Sequence, residues 1–388
     1  MEPTVFEGAT LFDGAALAEG MALVVEAGRI AALLPAAEAP AGARRVRLEG
    51  GILAPGFVDL QVNGGGGLML NDAPTVDGIA AICAAHARLG TTALLPTLIT
   101  DTPEQTAATI EAGVAAAAAG VPGFAGLHLE GPHLDPRRKG AHDPALIRPM
   151  QAEDLARLCD AARRLPTLLV TLAPEAASPE QIAALAAAGA VVSLGHTDTD
   201  AAGAVRGFAA GARMVTHLFN AMSQLGNREP GLVGAALDAE GVVAGLIADG
   251  VHVAPASLRV ALAAKRGTDA IFLVTDAMAV AGTERDSFLL NGRRILRRDG
   301  RLTLEDGTLA GADIDFPGAI RVLVREGVPV ARALRMATAA PARAIGRADL
   351  GRLAEGLPAD LVHLDDRLGL AGVWRAGEAL ALPAATDA

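Results

Sequence analysis

The chain has 388 residues and a formal net charge of −11, with 51% hydrophobic and 20% charged residues. That composition excludes a largely disordered chain, and the acidic balance argues against non-specific binding to nucleic acid or an anionic membrane. The two cysteines, Cys83 and Cys159, cannot make a disulfide framework and fit a reduced, cytoplasmic setting.

The start, Met1-Glu2-Pro3, lacks the basic opening of a signal peptide. Residues 5–12 then read as a strand ending at Asp13-Gly14. Residues 21–26 and 29–34 read as a hairpin turning at Ala27-Gly28, and residues 44–48 as a further strand before Glu49-Gly50-Gly51. The Asp-Gly and Ala-Gly steps supply the positive φ of tight turns. Residues 360–382 have the same character, with Val362, Leu364, Val373 and Trp374 among polar neighbours. The two ends are therefore predicted to pair into one small β domain, residues 1–54 and 346–388, around a catalytic domain at 55–345.

The middle alternates. Apolar runs at 56–62, 93–99, 123–129, 167–172, 191–194, 214–219, 242–248 and 271–275 are separated by Ala-rich helix candidates at 75–89, 103–119, 152–164, 179–188, 200–210 and 255–265. Thr102-Pro103-Glu104 and Ser178-Pro179-Glu180 each place a capping residue before a proline and an acidic first turn. The uncharged stretch at 112–127 is too short, and too broken by Pro122, to span a bilayer. Eight runs in β-α order predict a parallel sheet, and their number favours a closed (β/α)8 barrel of the TIM type. A doubly wound sheet would show the same alternation.

Barrels of this kind place their chemistry at the C-terminal ends of the strands. Here those ends carry Gln61 and Asn63, Glu130, His196, His217, His252 and Asp276. One histidine at a strand end is usually a hydrogen-bonded polar residue. Two successive strands ending in His196 and His217, after one ending in Glu130, make a three-ligand set for Zn²⁺ or Fe²⁺ with a position left open. Asp276 ends a very apolar run, which suits an acid/base facing the same mouth. His128, two residues before Glu130, falls a layer below it. His86 and His363 read as structural, and His133 reads either way. The glycines at 64–67 suggest adaptable backbone, because no GxxxxGK[ST] phosphate loop occurs in the chain.

Pro55-Gly56-Phe57-Val58-Asp59, Leu127-His128-Leu129-Glu130-Gly131-Pro132, Lys139-Gly140-Ala141-His142, Thr216-His217-Leu218-Phe219-Asn220-Ala221-Met222, Arg228-Glu229-Pro230-Gly231, Asp249-Gly250-Val251-His252 and Val274-Thr275-Asp276-Ala277 occur in that order. Together they resemble the amidohydrolase superfamily and, within it, the N-acetylglucosamine-6-phosphate deacetylase family. The resemblance implies a TIM-like barrel with a β-sandwich domain built from both chain ends. It also implies hydrolysis of N-acetylglucosamine 6-phosphate to glucosamine 6-phosphate and acetate, in amino-sugar catabolism.

Carried over by motif, the resemblance assigns one divalent ion, Zn²⁺ or Fe²⁺, to Glu130, His196 and His217. It makes Asp276 the general base and then the acid. His142 polarises the acetyl carbonyl, with Ala141 beside it at the substrate. His252, Asn220 and Ala221 hold the sugar phosphate, and Arg228 reaches it from a neighbouring subunit, which implies a homodimer.

The chain departs from the superfamily where His-x-His usually binds a second metal: those positions are Gln61 and Asn63, and amides are poor ligands beside imidazole. The stretch Ala310-Gly311-Ala312-Asp313-Ile314-Asp315-Phe316 also departs from the family's usual loop. A dihydroorotase-like or aminoacylase-like enzyme would share the metal set but would want an arginine aimed at a carboxylate. A non-catalytic scaffold is suggested only by the missing first-strand histidines.

Overall fold

The computed structural model describes residues 2–382. Eight parallel strands form one sheet in sequence order: β1 Phe57–Val62, β2 Thr91–Ile99, β3 Leu127–Glu130, β4 Leu168–Leu172, β5 Val191–Leu194, β6 Met214–Val215, β7 Val243–Leu246 and β8 Ile271–Leu273. The helices at Val76–Ala87, Pro103–Ala118, Ala152–Arg164, Pro179–Ala187, Ala201–Ala210 and Pro255–Ala264 fall where the sequence predicts them. Thr102 and Ser178 each accept a bond from a backbone N–H three residues on, as their capping positions require. Gly231–Asp238, Phe316–Arg325, Val330–Ala337 and Ala339–Ala344 complete the helical shell.

Burial on both faces explains the nearly continuous apolar runs. Along β4, Leu168, Val170 and Leu172 join the cluster under the helices, while Leu169 packs with Val58, Leu60, Met214 and Phe272.

The sheet curls until β8 meets β1. At that seam the backbone contributes the parallel bridge Val62–Ala277 and the bonds Asp276 N–H to Gln61 O (3.0 Å) and Asn63 N–H to Ala277 O (2.8 Å). A side chain supplies the rest. Asp59, wholly buried on β1, accepts from the Thr275 hydroxyl (2.5 Å), from the Thr275 N–H (3.3 Å) and from the Gln61 N–H (3.2 Å). Burial drives the Asp59 carboxyl up to about 7 despite these bonds.

The chain ends do meet. Leu361–Leu364 lies antiparallel to Ile52–Pro55 within a six-stranded sheet, and a four-stranded sheet from the N-terminal region holds Thr4–Glu7, Met21–Glu26, Arg29–Pro35 and Arg44–Arg47. The strand expected at 5–12 is instead two. Gly8 sits at φ +99° between Thr4–Glu7 and Thr10–Phe12, and the chain changes sheet there.

A four-stranded antiparallel sheet, Ser287–Leu290, Arg293–Arg298, Arg301–Leu304 and Leu309–Ala312, follows β8 and was not anticipated. Its signal was present. Asn291-Gly292 and Asp299-Gly300 are two-residue turns with positive φ at both positions. No helix among the described residues is long and apolar enough to cross a membrane.

Candidate active site

The pocket at the C-terminal mouth of the barrel has a volume of about 370 Å³. At its base, Glu130 ends β3, and His196 and His217 stand just past β5 and β6. Glu130 Oε1 lies 3.2 Å from His196 Nε2 and 3.0 Å from His217 Nε2, and the two imidazole nitrogens are 3.1 Å apart. His142 belongs to the same cluster: one donor atom each from Glu130, His142 and His196 falls within 4.8 Å of the others.

Backbone neighbours separate the two roles. A carbonyl only accepts, so His196 Nδ1, 2.8 Å from Arg138 O, carries the proton and leaves Nε2 a lone pair. An amide N–H only donates, so His142 Nδ1, which accepts from Thr100 N–H at 3.3 Å and faces the Thr100 hydroxyl at 2.7 Å, is unprotonated. His142 therefore presents Nε2–H. Burial holds His142 down to about 4, with His196 adding to the effect, so the ring is neutral at neutral pH. His196 is shaped as a metal ligand and His142 as a hydrogen-bond donor.

Glu130 Oε1 and the bare Nε2 of His196 are both acceptors at 3.2 Å. Acceptors converge in this way when a cation lies among them, and a carboxylate with two imidazoles is a suitable donor set for Zn²⁺ or Fe²⁺. Burial works against the Glu130 charge, but the neighbouring histidines, His142 first, outweigh it and hold the carboxyl well below its ordinary range. His217 is shifted upward, because the pull of Glu130 exceeds the effect of burial.

Asp276 follows β8. Its Oδ1 accepts from Asn63 Nδ2–H at 2.7 Å. Burial and the nearby Glu130 charge raise it to about 6, where a carboxylate can both take and return a proton near neutrality. His196, His217 and Asp276 all have positive φ, at 48°, 28° and 51°. The strands end in sharp left-handed bends that a non-glycine residue adopts at a cost of roughly 1–3 kcal/mol, a pattern concentrated at functional sites.

Beneath the cluster, the predicted lower layer is a belt of polar side chains. His128 bridges Thr97 and Thr171, Thr171 meets Thr216 at 2.7 Å between oxygens, and Thr216 in turn meets Ser193 at 2.6 Å. This belt crosses β2 to β6. Burial lowers His128 to about 4, so it too is neutral.

The Amidohydrolase family model matches residues 52–382. The chain belongs to the amidohydrolase family. It is 44% identical over 335 residues to the N-acetylgalactosamine-6-phosphate deacetylase of Shewanella sp. (strain ANA-3), covering 86% of this chain and 84% of that one. The N-acetylglucosamine-6-phosphate deacetylase of Haemophilus influenzae is 35% identical, with 87% and 89% covered. The crystal structure of N-acetylglucosamine-6-phosphate deacetylase from Pasteurella multocida superposes with a TM-score of 0.93 at 34% identity, covering 98% of this chain and all of that one. The motif resemblance thus extends over most of the chain.

Several further residues expected from sequence line this amidohydrolase pocket: Asn63, Ala141, Asn220, Ala221 and His252. Arg228 does not; it is exposed on the loop after β6. His252 Nδ1 lies 2.6 Å from Asp249 Oδ2, which fixes the ring. His86 and His363 bond to Gly64 O and Gly50 O, both at 2.9 Å, as structural histidines do. His133 bonds to Arg148 O at 3.2 Å, outside this pocket. The glycines at 64–67 form a tight hairpin, and a Cβ on Gly64 would meet Leu68 O at 2.3 Å.

Sequence reasoning missed Thr100, Arg138 and Asp249, which set the orientations of His142, His196 and His252. Only Asp249 carried a local signal, three residues before its partner. It also missed the sheet after β8, whose Leu309 and Gly311 line the pocket and whose Arg293 donates to Ala141 O at 2.5 Å.

Proposed function

We propose that the chain is a metal-dependent hydrolase that deacetylates N-acetylglucosamine 6-phosphate, releasing glucosamine 6-phosphate and acetate. The observation that carries this reading is one pocket holding a carboxylate–imidazole cluster, a neutral histidine that presents Nε2–H, and a carboxylate raised to about 6. Relatives named for this activity support it.

Glu130, His196 and His217 would hold one Zn²⁺ or Fe²⁺ ion, which supplies Lewis acidity and makes water ionisable at about pH 7. His142 donates its Nε2–H to the acyl oxygen, where negative charge develops. Asp276 removes a proton from the attacking water and delivers it to the sugar nitrogen, so the departing group is an amine rather than an amide anion. The proton taken is the proton needed. His252, Asn220 and Ala221 hold the sugar phosphate, remote from the reacting bond, so that its binding energy positions the amide.

The motif resemblance further suggests a homodimer in which Arg228, exposed on its loop, reaches the partner's phosphate site. Arginine's planar fork suits paired, charge-assisted bonds to phosphate oxygens. We further assign residues 2–54 and 346–382 to a small β-sandwich domain and 55–345 to the catalytic barrel, and place the protein in the cytoplasm; residues 1 and 383–388, expected in the β domain, lie outside the described residues.

A second reading exchanges the gluco for the galacto epimer, and the Shewanella relative favours it. Acetate release from both N-acetylhexosamine 6-phosphates, with and without chelator, tests both. Chelator-sensitive turnover is expected, and the ratio of kcat/KM values decides the epimer. Chelator-resistant turnover, or turnover of acylamino acids instead, would overturn the proposal.

A further inference from the structure

Gln61 and Asn63 stand two apart at the end of β1 and share its inward face. Only 2% and 1% of their surfaces are exposed. Each points its amide nitrogen at a different carboxylate: Gln61 Nε2 lies 3.0 Å from Glu130 Oε1, and Asn63 Nδ2 lies 2.7 Å from Asp276 Oδ1. Reversing either amide would set its oxygen against a carboxylate oxygen, acceptor against acceptor. The orientation is therefore fixed, and it is a donor's orientation.

We propose that Gln61 and Asn63 are positioning residues with separate tasks: Gln61 orients Glu130 for the metal, and Asn63 orients Asp276 for proton transfer. Glu130 and Asp276 are like charges facing one pocket, ends of strands β3 and β8, with β1 as the strand able to reach both. Two neutral amide donors on β1 hold the carboxylates apart without adding a charge. Hydrogen bonds to an ionised acceptor are the stronger kind, and a buried carboxylate that loses one becomes free to rotate or recruit another partner. The Asn63 half of the proposal rests on the reading of Asp276 as the proton carrier. The Gln61 half needs only that Glu130 binds the metal.

Near-isosteric replacements separate the two tasks. Gln61→Met should weaken metal retention by about 10–100-fold, the usual effect of losing a partner behind a metal ligand, read by titration with a graded chelator. Asn63→Leu should lower kcat by about 10–100-fold while leaving KM and metal retention at the parent values, in line with the loss of one hydrogen bond to a charged group. Asn63→Asp keeps volume and polarity but turns the donor into a like charge, and should lose at least as much kcat. It serves if the leucine variant fails to fold.

A merely structural role at the β1–β8 seam would instead lower metal retention, kcat and melting temperature together in both single variants, and that result overturns the proposal. So does parent kcat in both Asn63 variants, or parent metal retention in Gln61→Met. A second metal equivalent that disappears in either variant overturns it too. Asp276→Asn, assayed alongside, separates the two readings: if it retains turnover, the reading of Asp276 fails. If it is inactive and Asn63→Leu is not, only the present proposal fails.

Discussion

His142 and His196 stand edge to face with ring centroids 4.4 Å apart, yet they are opposite tautomers. Thr100 N–H holds one proton-free at Nδ1, and Arg138 O holds the other protonated there. The pair therefore divides its labour. His196→Ala is expected to lose the metal. His142→Ala is expected to keep it and lose about 10²–10³-fold in kcat, as removal of a donor to a developing oxyanion does. Elemental analysis beside acetate release checks both. The parent protein should hold about one ion per chain, since amides at 61 and 63 compete poorly with imidazole for divalent metals.

Asp276 is raised to about 6 by burial and by the Glu130 charge. A general base works only when ionised, so kcat/KM should fall about tenfold per unit as pH drops below roughly 6. Asp276→Asn keeps the shape but carries no proton, and should lose ~10²–10⁴-fold in turnover with substrate affinity retained. A pH–rate profile of the parent and single-point assays of the variant provide the measurements. An unchanged rate in the variant assigns the base elsewhere.

Asp59 closes the barrel. Asp59→Ala leaves the Thr275 N–H, the Thr275 hydroxyl and the Gln61 N–H without their acceptor, at about 1–3 kcal/mol for an unsatisfied buried group. Because its folded pKa is raised to about 7 from 3.8, its neutral form favours the fold. That contribution is full below about pH 4 and is lost as pH rises through about 7. Urea unfolding should show the parent's stability declining over this window and the Asp59→Asn variant, which has no carboxyl there, declining less.

Arg228 is tested by mixing subunits. Arg228→Ala should lose preference for the phosphorylated sugar. Heterodimers of Arg228→Ala with Asp276→Asn should regain part of the activity, because an intact Asp276 site then faces an intact Arg228. If heterodimers form and no activity returns, Arg228 does not act across the interface.

The β-α alternation, the helix caps and the residues Glu130, His196, His217 and Asp276 at or just past strand ends, with His252 on the loop after β7, are local features, so periodicity and turn chemistry made them legible in the sequence. The Asn-Gly and Asp-Gly turns of the sheet after β8 are equally local. What the sequence could not decide was which atom each side chain offers. His142 offers its Nε2–H because Thr100, 42 positions away, meets its ring, and His196 offers its Nε2 lone pair because Arg138, 58 positions away, meets its own. Gln61 and Asn63 look like lost metal ligands in one dimension. Only the closed barrel brings them to Glu130, 69 positions on, and Asp276, 213 positions on, where their N–H groups have carboxylates to hold. Residue type is written locally, but protonation and orientation depend on neighbours that chain closure supplies.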